Sequence, residues 1–318
     1  MYDIEKVIEP KNLDEALRYL SENENSIAIC GGSDVLIKNR EGKLLGLDYV
    51  CIRELDELLG VSEDAEGNIH IGAATTFTNI ENNDVIKRRC PYLSYAVGQV
   101  GGPQIRNIGT IGGNLCNGVP SADSATSVVI LNADLVLKSV RGTRVIKANE
   151  FFVSAGKTVR ERDELLVEIV IPKEELDGYV GKYTKYAMRK AMDIATLGVA
   201  MKIKVDNDTI EDIKIAYGVC APIPLRGVML ENEIRGKKIT DDLISIIENN
   251  YKKDINPRDS WRASKEFREK VVSEILKRNI SDLVVKVGGK DVYSYWYGCK
   301  WRWSIYTSGF KRDTAWNS

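Results

Sequence analysis

Between residues 109 and 118 the chain reads GTIGGNLCNG, four glycines and two asparagines in ten positions. Glycine weakens helices and strands through its conformational entropy. A cluster this dense survives where the backbone must take positive φ or come close to something else. A second cluster, AICGGSD from Ala28 to Asp34, follows a short apolar run and makes the same demand. Any fold for this chain has to place two tight, backbone-exposing segments between apolar elements.

The elements around them mix helix and strand. NLDEALRYLSE, residues 12–22, predicts a short helix with Asn12 as N-cap and Leu13, Ala16, Leu17 and Leu20 on one face. SIAIC, YVCI, NIHIGAATTF, ADLVLKSV, TRVIKA, LLVEIVIP and MKIKV read as strands, short apolar or β-branched runs bounded by turn residues. NNDVIKRRCPYLSYAVGQV is helical on either side of Pro91, and two further helical stretches precede residue 290. The class is α+β. Lys-Glu-Glu and Gly178 after LLVEIVIP mark a boundary near residue 175, giving two domains, 1–175 and 176–289.

Charge and cysteine content narrow the function. The 45 Lys and Arg nearly cancel the 46 Asp and Glu, so no basic field is present to collect nucleic acid or an anionic membrane. The acidic start MYDIEKVIEP has no signal-type apolar segment and no membrane-length apolar run follows, which places the protein in the cytoplasm. The six cysteines show no CxxC spacing, so they are expected to be reduced thiols rather than zinc or iron–sulfur ligands. The only histidine, His70, falls on a predicted strand and reads as a surface or satisfied side chain, not a catalytic one.

AICGGSD is neither GxGxxG nor a P-loop. Taken alone it is a plain strand-to-helix turn or a nest of amides for phosphate. VGGPQIRNIGTIGGNLCNGVPSADSA carries side-chain donors at Gln104, Asn107, Thr110 and Asn114 and an SADS turn with Asp123. It is a long capped turn or the lining of a polar ligand, and the number of polar groups between apolar segments favours the ligand.

AICGGSDVLI, IGAATTFTNIE, GPQIRNIGTIGGNLCNGVPSADSA, KYAMRKAMDIATLG and SWRASKEFR, in this order, resemble the FAD-binding subunits of bacterial xanthine dehydrogenases in the molybdenum hydroxylase family. The likeness spans residues 1–289. It implies a vanillyl-alcohol-oxidase (PCMH-type) FAD-binding domain of two α/β subdomains, followed by a smaller α/β domain. By this likeness Ile27, Ala28, Ile29, Cys30, Gly31, Gly32, Ser33 and Asp34 form a first FAD loop, with Ser33 where the family commonly has Thr. Gly109, Thr110, Ile111, Gly112 and Gly113 form the second, with Asn114 beside it and Asp123 accepting hydrogen bonds from the cofactor. Leu166 matches an apolar contact to the ring and Lys185 the lysine that reaches the flavin; Arg189 and Asp193 match a loop on the nicotinamide side.

The reaction implied passes electrons from molybdopterin and 2Fe–2S centres on partner subunits into noncovalent FAD here, and then as hydride to NAD. A flavin subunit for nicotinate, aldehyde or carbon monoxide oxidation, and a flavin-free assembly module, are the alternatives. The likeness stops at Lys290. The tail 290–318, with Tyr293, Trp296, Trp301 and Trp303, reads as a docking segment or as downstream sequence in another frame. In either case it is expected to be poorly ordered and to have no part in FAD binding.

Overall fold

The computed structural model describes residues 4–240, 242–289 and 292; the expectation for the tail falls outside these, apart from Val292. The first unit is a parallel sheet of β1 (Lys6–Ile8), β2 (Ser26–Ile29) and β3 (Asp48–Cys51) in the order β1-β3-β2. Its helices are α1 (Leu13–Glu22) and α2 (Val35–Arg40). α1 starts where expected, because Asn12 Oδ1 accepts from the Glu15 amide at 2.9 Å, and it buries Leu13, Ala16, Leu17 and Leu20.

The second unit is built on β4 (Val61–Glu63), β5 (Ile69–Gly72), β6 (Asp134–Ser139) and β7 (Gly142–Lys147), with a small hairpin of β8 (Phe152–Ser154) and β9 (Lys157–Thr158), and β10 (Leu165–Ile171). The antiparallel order is β4-β5-β10-β6-β7. Between β5 and β6 run α3 (Phe77–Asn82), α4 (Asp84–Arg89), α5 (Pro91–Gly98), α6 (Pro103–Arg106), α7 (Ile111–Asn117) and α8 (Asp123–Ile130). Pro91 stands at the first position of α5, where its missing N–H costs nothing.

The third unit is an antiparallel sheet of β11 (Tyr179–Tyr186), β12 (Leu197–Asp206), β13 (Thr209–Gly218) and β14 (Leu225–Arg226), with α9 (Val228–Ile234), α10 (Asp242–Asn250) and α11 (Lys265–Lys286). Alternation sends Val199, Met201 and Ile203 of β12 into a core with α9, α10 and α11. Tyr183, Ala200 and Ala216, aligned across three strands, join the core of the second unit instead. The seam between the units is thus continuous hydrophobic core. No helix among the described residues is long and apolar enough to cross a membrane.

Three expectations need correction. IGAATTF does not continue the strand: β5 stops at Gly72, and Thr76 caps α3 by accepting from the Asn79 amide. GTIGGNLCNG is mostly helix, since Thr110 Oγ1 accepts from Gly113 N at 3.2 Å and Gly118, at φ 65°, ends the run. SADS is not a free turn either, because α8 begins at Asp123.

His70 is a satisfied strand residue, Nδ1 being 3.0 Å from Glu168 and Nε2 3.1 Å from Asp64. Burial opposes charging the ring, but the two carboxylates outweigh it and raise the pKa above 6.5. Its contribution to stability is complete below pH 6.5 and lost as pH rises through the raised native value. His70→Gln is expected to remove the fall in urea-unfolding stability that this residue contributes as pH rises above 6.5.

At the seam, Lys202 and Lys214 lie opposite one another on β12 and β13 and share the Glu175 carboxylate. Lys202 is fully buried, 2.7 Å from Glu175 Oε2. Removing the anion would strand an uncompensated buried cation, so Glu175→Ala should lower unfolding stability by about 3 kcal/mol, whereas Glu175→Leu with Lys202→Met should recover most of the loss.

Candidate functional site

β2 is an edge strand, and Ile27, Ala28, Ile29 and Cys30 are only half-buried along it. It delivers the chain to Gly31 and Gly32. A Cβ at Gly31 would lie 2.1 Å from the Ile108 carbonyl oxygen, so the second glycine segment rests directly on the first. Gly32 takes φ 70°, which turns the backbone into α2. Among the described residues, the amides of Gly32, Ser33 and Asp34 donate to no protein acceptor, and the Asp34 side chain makes no cap bond. Three adjacent free amides after a parallel strand are the arrangement that receives phosphate oxygens.

The second segment treats its amides differently. Ile111 N donates to Thr75, Gly112 N to Ala73, Gly113 N to Thr110 Oγ1, and Asn114 N to the Thr110 carbonyl. Gly112 is glycine because a Cβ would lie 2.6 Å from Ala73. Gly109 and Thr110 are buried, whereas Gly113 is exposed and its Cβ would meet only the Thr110 hydroxyl, at 2.9 Å. The two segments are further tied by Lys38 Nζ of α2 donating to Asn117 Oδ1 at 2.6 Å.

From Asn114 the contacts lead on. Its Oδ1 accepts from Ser124 Oγ at 2.7 Å, next to Asp123. Asp123 is buried; it accepts from Tyr183 Oη at 2.6 Å and from Lys185 Nζ at 2.8 Å. Burial raises its pKa against the opposing pull of Lys185 and Tyr183. Lys185 Nζ also donates to the carbonyls of Gln99 and Asp193, each at 2.8 Å. Above it opens a cleft of about 610 Å³ between Gly98–Arg106 and the hairpin Tyr186–Asp193, with Lys185 in its lining. Arg189 is on that hairpin, its amide bonded to Asp193 Oδ2.

The expected residues therefore fall in two groups, the paired glycine segments and the Asp123–Lys185 floor of the cleft, linked through Asn114 and Ser124. Leu166 lies apart from the cleft lining, buried in the core that also holds Leu115. Sequence reasoning missed Tyr183 and the Gln99 carbonyl, whereas Gly101 and Gly102, inside the stretch expected to line a polar ligand, form the opposite wall, with Gly101 at φ 50°.

A profile described as "FAD binding domain in molybdopterin dehydrogenase" matches residues 2–174, and one described as "CO dehydrogenase flavoprotein C-terminal domain" matches residues 182–283. The xanthine dehydrogenase FAD-binding subunit of Escherichia coli O157:H7 is 37% identical over 290 residues, covering 91% of this chain and 99% of that protein. This chain belongs to the FAD-binding subunits of the molybdenum hydroxylases. The glyceraldehyde dehydrogenase medium chain of Sulfolobus acidocaldarius is 35% identical, with 87% of this chain and 97% of that one covered. The fold matches a carbon monoxide dehydrogenase structure from Hydrogenophaga pseudoflava lacking the Mo-pyranopterin moiety, with a TM-score of 0.85, 26% identity, and coverage of 90% of this chain and 99% of that one.

The free amides of Gly32, Ser33 and Asp34 and the half-buried apolar strand that leads to them fit the phosphate end of a dinucleotide. Lys185, its three N–H groups taken by Asp123, Gln99 and Asp193, can act on a ligand only through its charge. As an FAD-family member the chain should separate two kinds of glycine. Gly31→Ala sets backbone against backbone and is expected to cost at least about 2 kcal/mol in urea unfolding. Gly113→Ala disturbs at most the Thr110 cap, about 1 kcal/mol.

Proposed function

We propose that the chain is the FAD-carrying subunit of a xanthine dehydrogenase complex, receiving electrons from molybdopterin and 2Fe–2S centres on partner subunits and passing them as hydride to NAD in the cytoplasm. The observation that carries the substrate assignment is the 37% identity over 99% of the Escherichia coli relative named for that activity. In this reading residues 1–175 hold FAD and residues 176–289 close the cleft.

Bound FAD supplies the two-electron chemistry. The amides of Gly32, Ser33 and Asp34 take its pyrophosphate, and the half-buried face of Ile27 to Cys30 covers apolar parts of the dinucleotide. Of the segment Gly109 to Asn114, exposed Gly113 and half-buried Asn114 line its path, and the buried Gly109 to Gly112 hold them there. Lys185 keeps a positive charge at the cleft floor, which favours an electron-rich ring, and Asp123 holds that ammonium in place. The hairpin with Arg189 and Asp193 stands beside the acceptor.

Attachment is noncovalent. Both nitrogens of His70 are engaged by carboxylates, and burial pushes the Cys116 thiol up, away from the thiolate a covalent link would need. A second reading, a flavin subunit for aldehyde oxidation, is favoured by the 35% identity to the glyceraldehyde enzyme.

Purification through this chain from its native source should bring molybdenum, iron and flavin together, and acid precipitation should leave all the yellow colour in the supernatant. The complex is expected to reduce NAD with xanthine and not with glyceraldehyde. The opposite preference would move the assignment to the aldehyde enzymes, and colour retained in the pellet would overturn noncovalent attachment.

A further inference from the structure

SWRASKEFR, residues 260–268, runs into α11 and has no role in the flavin site described above. Its first and last residues meet: Arg268 Nη2 donates to Ser260 Oγ at 2.6 Å. Nη1 donates to the Val219 carbonyl at 3.3 Å, and Nε is buried with no acceptor among the described residues. At 2% exposure this guanidinium has left water with a hydroxyl and a carbonyl as its hydrogen-bond acceptors, which is costly for folding. Val219 in turn sits at φ 63°, the left-handed region that a β-branched residue avoids.

Two unfavourable features in direct contact point to a position the fold is made to hold. What it holds lies on the other side of Val219, whose amide donates to the Pro120 carbonyl at 3.0 Å. Gly218 permits that approach, since a Cβ there would be only 3.2 Å from the same oxygen. Pro120 leads into α8, where Asp123 takes the Lys185 ammonium.

We propose that Arg268 is a positioning residue for the flavin site: acting through Val219, it fixes the Pro120 turn and so the placement of Asp123 and Lys185 beneath the cleft. The consequence for flavin rests on the proposed function, whereas the placement of the turn does not.

Hydrogen–deuterium exchange on the full-length protein without flavin tests the placement. Arg268→Met is expected to speed exchange over residues 118–126 by about tenfold while β6 and β10 keep wild-type rates. Arg268→Lys, which can still donate to both acceptors, should restore slow exchange. Val272→Ala, a buried truncation elsewhere on α11, should leave 118–126 unchanged. If Arg268→Met does not fold, Ser260→Ala, which removes one acceptor of Arg268 together with the local bonds of the Ser260 hydroxyl to Arg262 and Ala263, decides the matter with an expected rise of about threefold over 118–126. Wild-type exchange at 118–126 in a folded Arg268→Met protein, or in Ser260→Ala, would overturn the proposal.

The second readout is flavin titration, where Arg268→Met should raise the FAD Kd about tenfold and alter the visible flavin band. A faster-exchanging turn in a protein whose wild type binds no FAD would sink the flavin reading and leave the positioning role standing.

Discussion

Asp123 and Lys185 have side-chain exposures of 6% and 9%, and a pair so buried seldom adds stability over apolar side chains of the same size. What it adds is direction. Lys185 is the last-but-one residue of β11 and Asp123 the first of α8, so the pair sets where the third unit meets the second. The two remaining donors of the ammonium reach Gln99, after α5, and Asp193, in the hairpin, and so four chain segments converge on one nitrogen. The cleft exists because those segments meet at that nitrogen and diverge above it.

The glycine clusters follow a related logic, with backbone contact in place of charge. Gly31 and Gly112 are required by neighbouring backbone, at Ile108 and Ala73, and would be required whether or not a ligand were ever present. Gly32 is needed for its φ, and Gly113 faces outward. Close packing of the two segments and an open face towards a cofactor are therefore tasks of different residues within the same short motifs. A substitution series that ignores the distinction would confuse folding with binding.

Much of this was legible in the sequence. Asn12 and the spacing of Leu13, Ala16, Leu17 and Leu20 defined α1, Pro91 divided two helices, and apolar or β-branched runs marked β2, β3, β5, β6, β7, β10 and β12, while β13, whose run TIEDIKIAYG mixes charges with its apolar residues, was passed over. Where pattern failed, a local hydrogen bond decided the outcome: the Thr110 and Thr76 hydroxyls cap helices in stretches whose glycine and β-branched content argues against them. The expected site residues were found as two groups, because nothing in one dimension tells that Asn114 reaches Ser124 or that Leu166 turns into the core. Tyr183 was invisible for the opposite reason, since in sequence it is one of several tyrosines around residues 179–186, and only the fold brings its hydroxyl to Asp123.

The pair of strands β11 and β12 is held to the second unit at two separated points by buried charge. Lys202 of β12, across from Gly181 near the start of β11, is bound by Glu175, and at the finish of β11 Lys185 is bound by Asp123. Between them Tyr92 packs against Gly181 and Tyr183 bonds Asp123, so the strand has little freedom to slide or tilt. Apolar contacts alone would allow a small translation at modest cost, because they are not directional. Ion pairs at separated points do not, since each loses its partner geometry within about an ångström. The hairpin that walls the cleft grows from the end of this pinned strand. Its position over the Lys185 ammonium is inherited from the seam, and its own few internal bonds, Arg189 to Asp193 and Arg189 to Met192, need only shape the turn.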